Sequence, residues 1–326
     1  MRSLAVSVLL AAAVAGEPAI EDLSAIKLDP KVVETNLTVD ANPLDIAMTP
    51  DGTTAWVTMF TGNKISEIQR RKVTRSLDIG GSPTGIALSA DGKTLYVGLA
   101  TGPALALVDV ETMTVRKTIP MCAFPIGVRV SPDGKLVGVA CQGSGELAIV
   151  STAKLESKDA DAAVMKLAVG SMPYYLAFAP DSRRVWVPAH GGNTLAVVDL
   201  AADGTPTLKA SVPVGSNPVG VAVSKERGTV WVANWGSATV TQVHPKTLEV
   251  VATHKVGTNP YWVASSAACD CMLVSNFGAA TLDVLHEGRT RTRIKVEDSI
   301  INVYPSPDGK RLFATSWSHA SVKIIE

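Results

Sequence analysis

A unit of 40 to 48 residues, repeated seven times, constrains this sequence more than any other feature. The stretch 217–258 holds one complete unit: four short runs rich in Val and Thr, each bounded by Gly, Pro, Asn or Ser. Such runs are too short for ordinary helices, and the residues between them supply turn dihedrals or remove a backbone donor. Each unit is therefore predicted to be a blade of four short strands.

Aligning the chain on the first residue of this unit's first strand shows how regularly the unit returns. The equivalent positions are Pro43, Pro83, Pro125, Pro173, Pro218, Pro260 and Ile300, with spacings of 40, 42, 48, 45, 42 and 40 residues. Because a four-stranded unit can bury its faces only against its neighbours, this regularity predicts an all-β, seven-bladed β-propeller with four antiparallel strands per blade.

The two ends of the chain predict how the ring closes. The last unit stops after its third strand, whereas VVETNLTVDANP, from Val32, matches the fourth strand VVATHKVGTNP, from Val250. We therefore expect the N-terminal strand to complete blade 7. This closure would remove the open sheet edges that otherwise invite aggregation.

The N-terminus has the pattern of a secretory signal peptide. Arg2 precedes an apolar run from Leu4 to Val14, and a small-x-small cleavage signal ends at Ala15. Glu17 and Pro18 end the run before it reaches the length of a membrane span, and no later segment approaches that length. The predicted organisation is a signal peptide over residues 1–15, an exposed leader over 16–30 and one propeller domain over 31–326. The predicted location is periplasmic or secreted, where disulfides are permitted.

The charge balance limits the class of partner. Lys and Arg number 30, as do Asp and Glu, and 46% of the residues are apolar. This composition indicates a folded chain, and the absence of excess basic charge argues against nucleic acid or an anionic membrane as the partner. The basic clusters Arg70-Arg71-Lys72 and Arg289, Arg291, Arg293 fall in predicted outer strands or turns and are interpreted as solvated faces. The sequence does not define the oligomeric state.

The repeats resemble a known family. The segments PTGIALSADGKTLYVGLA, from Pro83, and PVGVAVSKERGTVWVANW, from Pro218, are similar to the repeats of YVTN-type seven-bladed β-propellers. The resemblance extends from Val32 to Glu326. It implies the propeller fold and an exported protein, but members of such a fold carry unrelated activities.

Aromatic residues and histidines recur on one predicted rim of the ring. The residue that follows the second strand is aromatic or His in five of seven blades, although only 5% of the chain is aromatic. Such rings could hold a flat or sugar-like small molecule or anchor a protein loop, or they could simply fill gaps between the blades. The predicted ligand-binding residues are Phe60, Phe124, Tyr174, Tyr175, His190, Trp235, Tyr261, Trp262, Phe277, Trp317 and His319.

Four oxygen-bearing residues on the same rim form a candidate metal site. They are Asp45, Asn234, Asn276 and Asn302. Carboxylate and amide oxygens suit Ca²⁺ or a similar divalent cation, and the set resembles the metal arrangement of lactonase-type propellers. It departs from that arrangement in holding a single carboxylate. The alternative is that each Asn caps its own loop.

A sulfur-rich group on blades 3 and 4 allows two interpretations. Met121, Cys122, Cys141, Met172 and His190 carry the thiol, thioether and imidazole groups that favour copper. In an oxidising compartment, a disulfide between Cys122 and Cys141 is the favoured alternative, although the loop must fold back to bring them together. Cys269 and Cys271 form either a small-ring disulfide or a free dithiol.

The sequence leaves the class of function open. It contains none of the common hydrolase, metalloprotease, nucleotide-binding or haem motifs, so it does not decide whether the protein is an enzyme. The first hypothesis is an exported, soluble module that binds a small molecule or a protein through the aromatic rim. The alternatives are a metal-dependent hydrolase or lyase of lactonase type, and a copper-handling or redox-partner protein. An acid–base pair of Asp45 and His319 is conceivable, but two unrelated rim residues are the more economical interpretation.

Overall fold

The seven sequence units fold into seven four-stranded antiparallel sheets arranged as the blades of a propeller. The computed structural model describes residues 34–224, 228–266, 269–286, 289–296, 299–306 and 311–325. The predicted signal peptide and leader lie outside these ranges. The all-β seven-bladed fold predicted from the repeat is thus confirmed.

In each blade the first strand lies nearest the centre of the ring, and the second strand lies beside it. The first strands are β2 (Pro43–Met48), β6 (Pro83–Leu88), β10 (Pro125–Val130), β14 (Ala177–Phe178), β18 (Pro218–Val223), β22 (Pro260–Ser266) and β26 (Ile300–Pro305). The second strands are β3 (Thr54–Met59), β7 (Thr94–Leu99), β11 (Leu136–Cys141), β15 (Arg184–Ala189), β19 (Val230–Asn234), β23 (Cys271–Asn276) and β27 (Leu312–Ser316). First strands of neighbouring blades contact one another, so they surround a central channel.

The third and fourth strands complete each blade outward. The third strands are β4 (Lys64–Gln69), β8 (Ala104–Asp109), β12 (Glu146–Ser151), β16 (Thr194–Leu200), β20 (Thr239–Val243), β24 (Thr281–His286) and β28 (Ser321–Ile325). The fourth strands are β5 (Lys72–Asp78), β9 (Thr114–Pro120), β13 (Met165–Ala168), β17 (Pro206–Pro213), β21 (Val250–Lys255), β25 (Arg289–Lys295) and β1 (Glu34–Thr38). A short helix, α1 (Thr152–Leu155), and a 3-10 turn (His190–Gly192) interrupt the pattern.

The ring closes as the chain ends predict. Strand β1 pairs antiparallel with β28, with Glu34 opposite Ile325 and Thr38 opposite Ser321. Blade 7 therefore takes its outer strand from the N-terminal part of the chain and its other three from the C-terminal part. This pairing gives blade 7 its fourth strand and covers the sheet edge that β28 would otherwise leave open.

The hydrophobic core is divided among the interfaces between blades. Buried apolar residues of the described chain form seven clusters, six of which each join two neighbouring blades. The seventh joins blades 6 and 7 and also includes Tyr175 of blade 4 and Val219 of blade 5. Second and third strands are buried on both faces, which explains their near-continuous apolar runs, whereas the fourth strands are largely exposed. Among the described residues, no helix has the length and apolar character needed to cross a membrane.

Candidate functional site

A backbone irregularity in the first strands aims particular side chains at the channel. In six blades the pairing between the first and second strands shifts register just after the first residue. Such bulges redirect side chains. The residue two beyond the strand start is, from blade 1 to blade 7, Asp45, Gly85, Gly127, Tyr175, Gly220, Trp262 and Asn302.

The glycines at this level allow neighbouring first strands to pack closely. A Cβ added at Gly127 would lie 2.7 Å from the carbonyl oxygen of Tyr174 in the next blade. At Gly85 the added atom would lie 2.5 Å from the carbonyl oxygen of Ile126. The other four residues at this level have larger side chains: Asp45, Tyr175, Trp262 and Asn302. The contacts described below show that these side chains meet across the channel.

Six side chains from five blades form what we call the buried layer of the channel: Asp45, Arg129, Tyr175, Trp262, Asn302 and Tyr304. The guanidinium carbon of Arg129 lies 5.2 Å from the ring centre of Trp262 and 5.7 Å from that of Tyr175. The ring centres of Trp262 and Tyr175 are themselves 4.7 Å apart. Contacts among blades this far apart in the ring place the layer on the propeller axis.

Asp45 is the electrostatic centre of the buried layer. Its side chain is fully buried, and Oδ2 accepts a hydrogen bond from Arg129 Nη1 at 2.9 Å and one from Ile86 N at 3.2 Å. Oδ1 accepts hydrogen bonds from Ile46 N at 3.0 Å and from the Tyr304 hydroxyl. Burying a carboxylate is costly unless it is paired and hydrogen-bonded, and this arrangement supplies both conditions.

The same environment shifts the proton affinities of the surrounding groups. Burial is the largest single influence on the Arg129 guanidinium and lowers its pKa, but Asp45, Tyr304 and Tyr175 together raise that pKa by more, so it lies above its ordinary value. Burial, reinforced by the negative charge of Asp45, raises the pKa of the Tyr175 phenol. Burial likewise raises the pKa of the Tyr304 phenol well above its ordinary value. The Arg129 guanidinium therefore stays charged and the two phenols stay neutral over the physiological pH range.

Above the buried layer, seven rings surround a cavity of about 300 Å³ at one mouth of the channel. We call it the aromatic cup. Its rings, which come from six of the seven blades, are Phe60, Phe124, Tyr174, Trp235, Tyr261, Phe277 and Trp317. All seven are half-buried, so each presents part of its surface to the cavity. Aromatic neighbours reinforce one another around the cup; for example, the ring centres of Trp235 and Phe277 are 5.5 Å apart.

The rest of the cup lining is almost entirely apolar. Leu44, Ile126 and Ile301 complete the apolar surface, and Thr84 and Gln142 are the polar residues that line it. Thr84 uses its hydroxyl to bond backbone carbonyls, including that of Pro125 at 2.7 Å. No charged side chain is among the described residues that line the cup.

The other four predicted ligand-binding residues lie outside the cup lining. Tyr175 and Trp262 belong to the buried layer and are almost completely inaccessible. The His190 ring contacts that of Tyr174 in a tilted arrangement, with ring centres 4.9 Å apart, and burial lowers the pKa of this imidazole. His319 is exposed in the loop between β27 and β28.

The candidate metal ligands occupy two separate environments. Asp45 and Asn302 lie in the buried layer, where Asn302 Nδ2 donates to the carbonyl oxygen of Leu44 at 2.6 Å. Asn234 and Asn276 are buried at the ends of second strands, where their amides donate to threonine hydroxyls of their own blades. A cation at Asp45 would have to compete with Arg129 for the same oxygen. The described residues include no group of three or more His, Cys, Asp or Glu that could hold a metal.

The sulfur-rich group on blades 3 and 4 contains a disulfide. Cys122 is bonded to Cys141, with Cα atoms 5.7 Å apart, so neither is a thiolate available to copper. Met121 is buried, whereas Met172 is 42% exposed on the surface. The remaining candidate copper ligands are thus two thioethers and one imidazole. Cys269 and Cys271 form the second disulfide, with Cα atoms 5.1 Å apart.

Sequence reasoning missed Arg129 and Tyr304, although the repeat carries a signal for both. The residue four beyond the strand start is Ala in five blades: Ala47, Ala87, Ala177, Ala222 and Ala264. Arg129 and Tyr304 are the two departures. Comparing blades at this level, in addition to the level of Asp45, would have singled them out.

Comparisons with known proteins support the fold but do not define the function. Residues 148–256, about one third of the chain, match the family described as Lactonase, 7-bladed beta-propeller. No curated protein shows significant similarity to the sequence.

Among solved structures, the chain resembles hydrazine synthase of Kuenenia stuttgartiensis, with 20% identity and a TM-score of 0.74 over 95% of this chain and 99% of that chain. It also resembles virginiamycin B lyase from Staphylococcus aureus, with 13% identity and a TM-score of 0.74 over 90% and 99% of the respective chains. The periplasmic gluconolactonase of Pseudomonas aeruginosa has 18% identity and a TM-score of 0.69 over 79% and 86%. At such identities the likeness shows a shared seven-bladed propeller fold.

Proposed function

We propose that this protein is a non-catalytic binding module whose aromatic cup holds a flat, uncharged small molecule. The observation that carries the proposal is the lining of the cup, where rings from six blades face one cavity of about 300 Å³. Ligand sites in proteins are typically concave, mostly apolar and furnished with a few polar groups. This volume is at the lower end of the range of such sites, which favours a ligand of one or two rings.

The electrostatics of the site favour a neutral ligand. No described residue that lines the cup is ionised, and Asp45 and Arg129 of the buried layer are paired with each other. A carboxylate or phosphate that entered the cup would lose its hydrating water without gaining a partner of opposite charge, which is costly. Gln142 is the lining residue best placed to offer an amide donor and acceptor to a hydroxyl or carbonyl of the ligand.

The experiment is a binding survey with matched neutral and charged probes. Titration calorimetry should detect binding of indole and phenyl glucoside but not of benzoate. Trp235→Ala and Trp317→Ala should each weaken binding by about tenfold or more, because large aromatic side chains dominate such contacts. Trp235→Phe keeps a ring in place and serves as the control, with affinity retained within a few fold. Unchanged affinity in both alanine variants would contradict the proposal.

A lactonase-type hydrolase or lyase is the second candidate, favoured by the family match over residues 148–256. Its divalent cation would use oxygens of Asp45 and Asn302 and would have to displace Arg129 from the carboxylate. Ring opening of glucono-δ-lactone, followed with and without added Ca²⁺, tests it. Calcium-dependent turnover that Asp45→Ala abolishes would support this candidate over the binding module.

Export and membership in the YVTN-type propellers are further parts of the proposal. Two disulfides among the described residues support folding in an oxidising compartment. The repeats that begin at Pro83 and Pro218 support the family. N-terminal sequencing of the mature protein tests export, since cleavage after Ala15 is expected and retention of Met1 would contradict it.

A further inference from the structure

A second cavity, of about 720 Å³, lies at the rim opposite the aromatic cup, where blade 7 meets blade 1. Blade 1 contributes Gly52 and Thr53 from the turn after its first strand and Arg70 and Arg71 from the turn after its third strand. Blade 7 contributes residues of β27 and β28 together with Arg311. We call this cavity the arginine groove.

The charged side chains among the described residues that line the arginine groove are all basic. Arg70, Arg71 and Arg311 line it, and no Asp or Glu is among the described lining residues. Arg311 Nη1 donates to the carbonyl oxygen of Gly52 at 3.0 Å, which fixes the guanidinium across the boundary between the blades. Arg71 and Arg311 each have a further interaction partner as well.

The nearby carboxylate of Asp51 is occupied within its own turn. Its Oδ1 accepts hydrogen bonds from Thr49 Oγ1 at 2.5 Å and from Thr53 N at 3.0 Å. These hydrogen bonds lower the pKa of Asp51 to about 2. The carboxylate is therefore directed to the turn backbone and does not line the groove.

The backbone that presents the arginines is strained. Arg70 and Arg71 have φ values of 48° and 60°, and they are the only consecutive non-glycine residues with positive φ in the described part of the chain. They form a two-residue hairpin loop between the paired residues Gln69 and Lys72. Such loops favour Asn-Gly, because other residues are disfavoured in the left-handed region. Two arginines in this loop make the turn less stable than Asn-Gly would, which indicates a role for their side chains.

The remaining wall of the groove is apolar. Ile68, Phe313 and Ile324 line it beside the arginines. Guanidinium groups recognise phosphate oxygens through paired hydrogen bonds, and an apolar wall favours a carbon skeleton attached to that anion. We propose that the arginine groove binds a phosphate ester that carries an aromatic or alkyl group. The basic turn that the sequence suggests is merely solvated would then be a binding element.

Phenyl phosphate is the probe, with inorganic phosphate and phenol as its two halves. Titration calorimetry should give tighter binding for phenyl phosphate than for either half. The double variant Arg70→Asn, Arg71→Gly removes two charges and supplies the residues that the loop prefers. Its unfolding midpoint should stay the same or rise, while its affinity for phenyl phosphate should fall by about tenfold or more, as expected when charge-assisted hydrogen bonds are lost.

The control removes the same charge from the other basic cluster, through Arg289→Gln and Arg291→Gln on β25 of blade 6. It should bind phenyl phosphate as the wild type does. Vesicles of phosphatidylglycerol, compared with phosphatidylcholine, form a second arm: binding that requires Arg70 and Arg71 would assign the phosphate to a lipid headgroup. Undiminished affinity in the Arg70/Arg71 variant, or an equal loss in the control, would overturn the proposal.

Discussion

Replacing Arg129 by Met should destabilise the protein more than its position on a propeller strand would suggest. The substitution keeps much of the side-chain volume but removes the only charged donor to Asp45 in the described contacts. The Asp45 carboxylate would remain fully buried, with donors from two backbone amides and the Tyr304 hydroxyl. Removing one partner of a buried ion pair typically costs 3–5 kcal/mol, because an uncompensated charge is left behind.

The structure places the expected cost at the lower end of that range. The Arg129 side chain is 21% exposed, so water reaches the pair and would partly screen the remaining charge. We therefore expect Arg129→Met to lower the free energy of unfolding by about 3 kcal/mol. Asp45→Asn should cost less, about 1.5 kcal/mol, because the arginine it leaves behind can be hydrated.

The double variant distinguishes pairing from packing. With both charges removed, Asp45→Asn together with Arg129→Met should cost about 2 kcal/mol, less than the sum of the single costs, which gives a coupling energy of more than about 2 kcal/mol. Equilibrium unfolding in urea at pH 7, followed by far-UV circular dichroism, measures all four proteins. Additive costs, or a cost below about 1 kcal/mol for Arg129→Met, would refute the assignment of Asp45 and Arg129 as a coupled buried pair.

Three further predictions concern stability. Replacing Cys122 and Cys141 by Ser should cost about 3 kcal/mol in urea unfolding, from the loop entropy of a 19-residue separation; a cost near zero would contradict a formed disulfide. Burial lowers the pKa of His254 below 6.5, so its unfolded form binds a proton more readily, and stability should decline as the pH falls through 6.5. His254→Gln should flatten that decline in thermal melts, and an unaltered pH profile would contradict it. Gly127→Ala should cost about 3 kcal/mol through backbone overlap with blade 4, against about 1 kcal/mol for the open but positive-φ Gly92→Ala; equal costs would show that the close approach of strands is unimportant.

The repeat explains why so much of the fold was predictable. Strand positions depend on local turn chemistry and on apolar runs, both of which recur at each blade. The pairing of β1 with β28 could also be foreseen, because Val32 onward repeats the pattern of a fourth strand. For the same reason the sequence placed Trp235, Phe277 and Trp317 on one rim, since they occupy equivalent positions in neighbouring blades.

Alignment of repeats does not predict the depth of a side chain in the channel. Tyr174 and Tyr175 are consecutive in the chain, yet Tyr174 lines the aromatic cup and Tyr175 is buried beneath it. A register shift near the start of the first strands sends neighbouring residues to different levels of the channel. The pattern of aromatic residues identified the rim but could not separate its exposed rings from its buried ones.

The sequence by itself determined the number of blades, the way the ring closes and the rim that carries the rings, because each of these follows from a local pattern repeated along the chain. Only the tertiary structure decided that Asp45 is paired with Arg129, 84 residues away and two blades on. Only the fold brings Arg70 and Arg311 to one groove from opposite ends of the sequence. Contacts across the axis and across the seam of the ring depend on how the blades are arranged around it, and no single repeat contains that information.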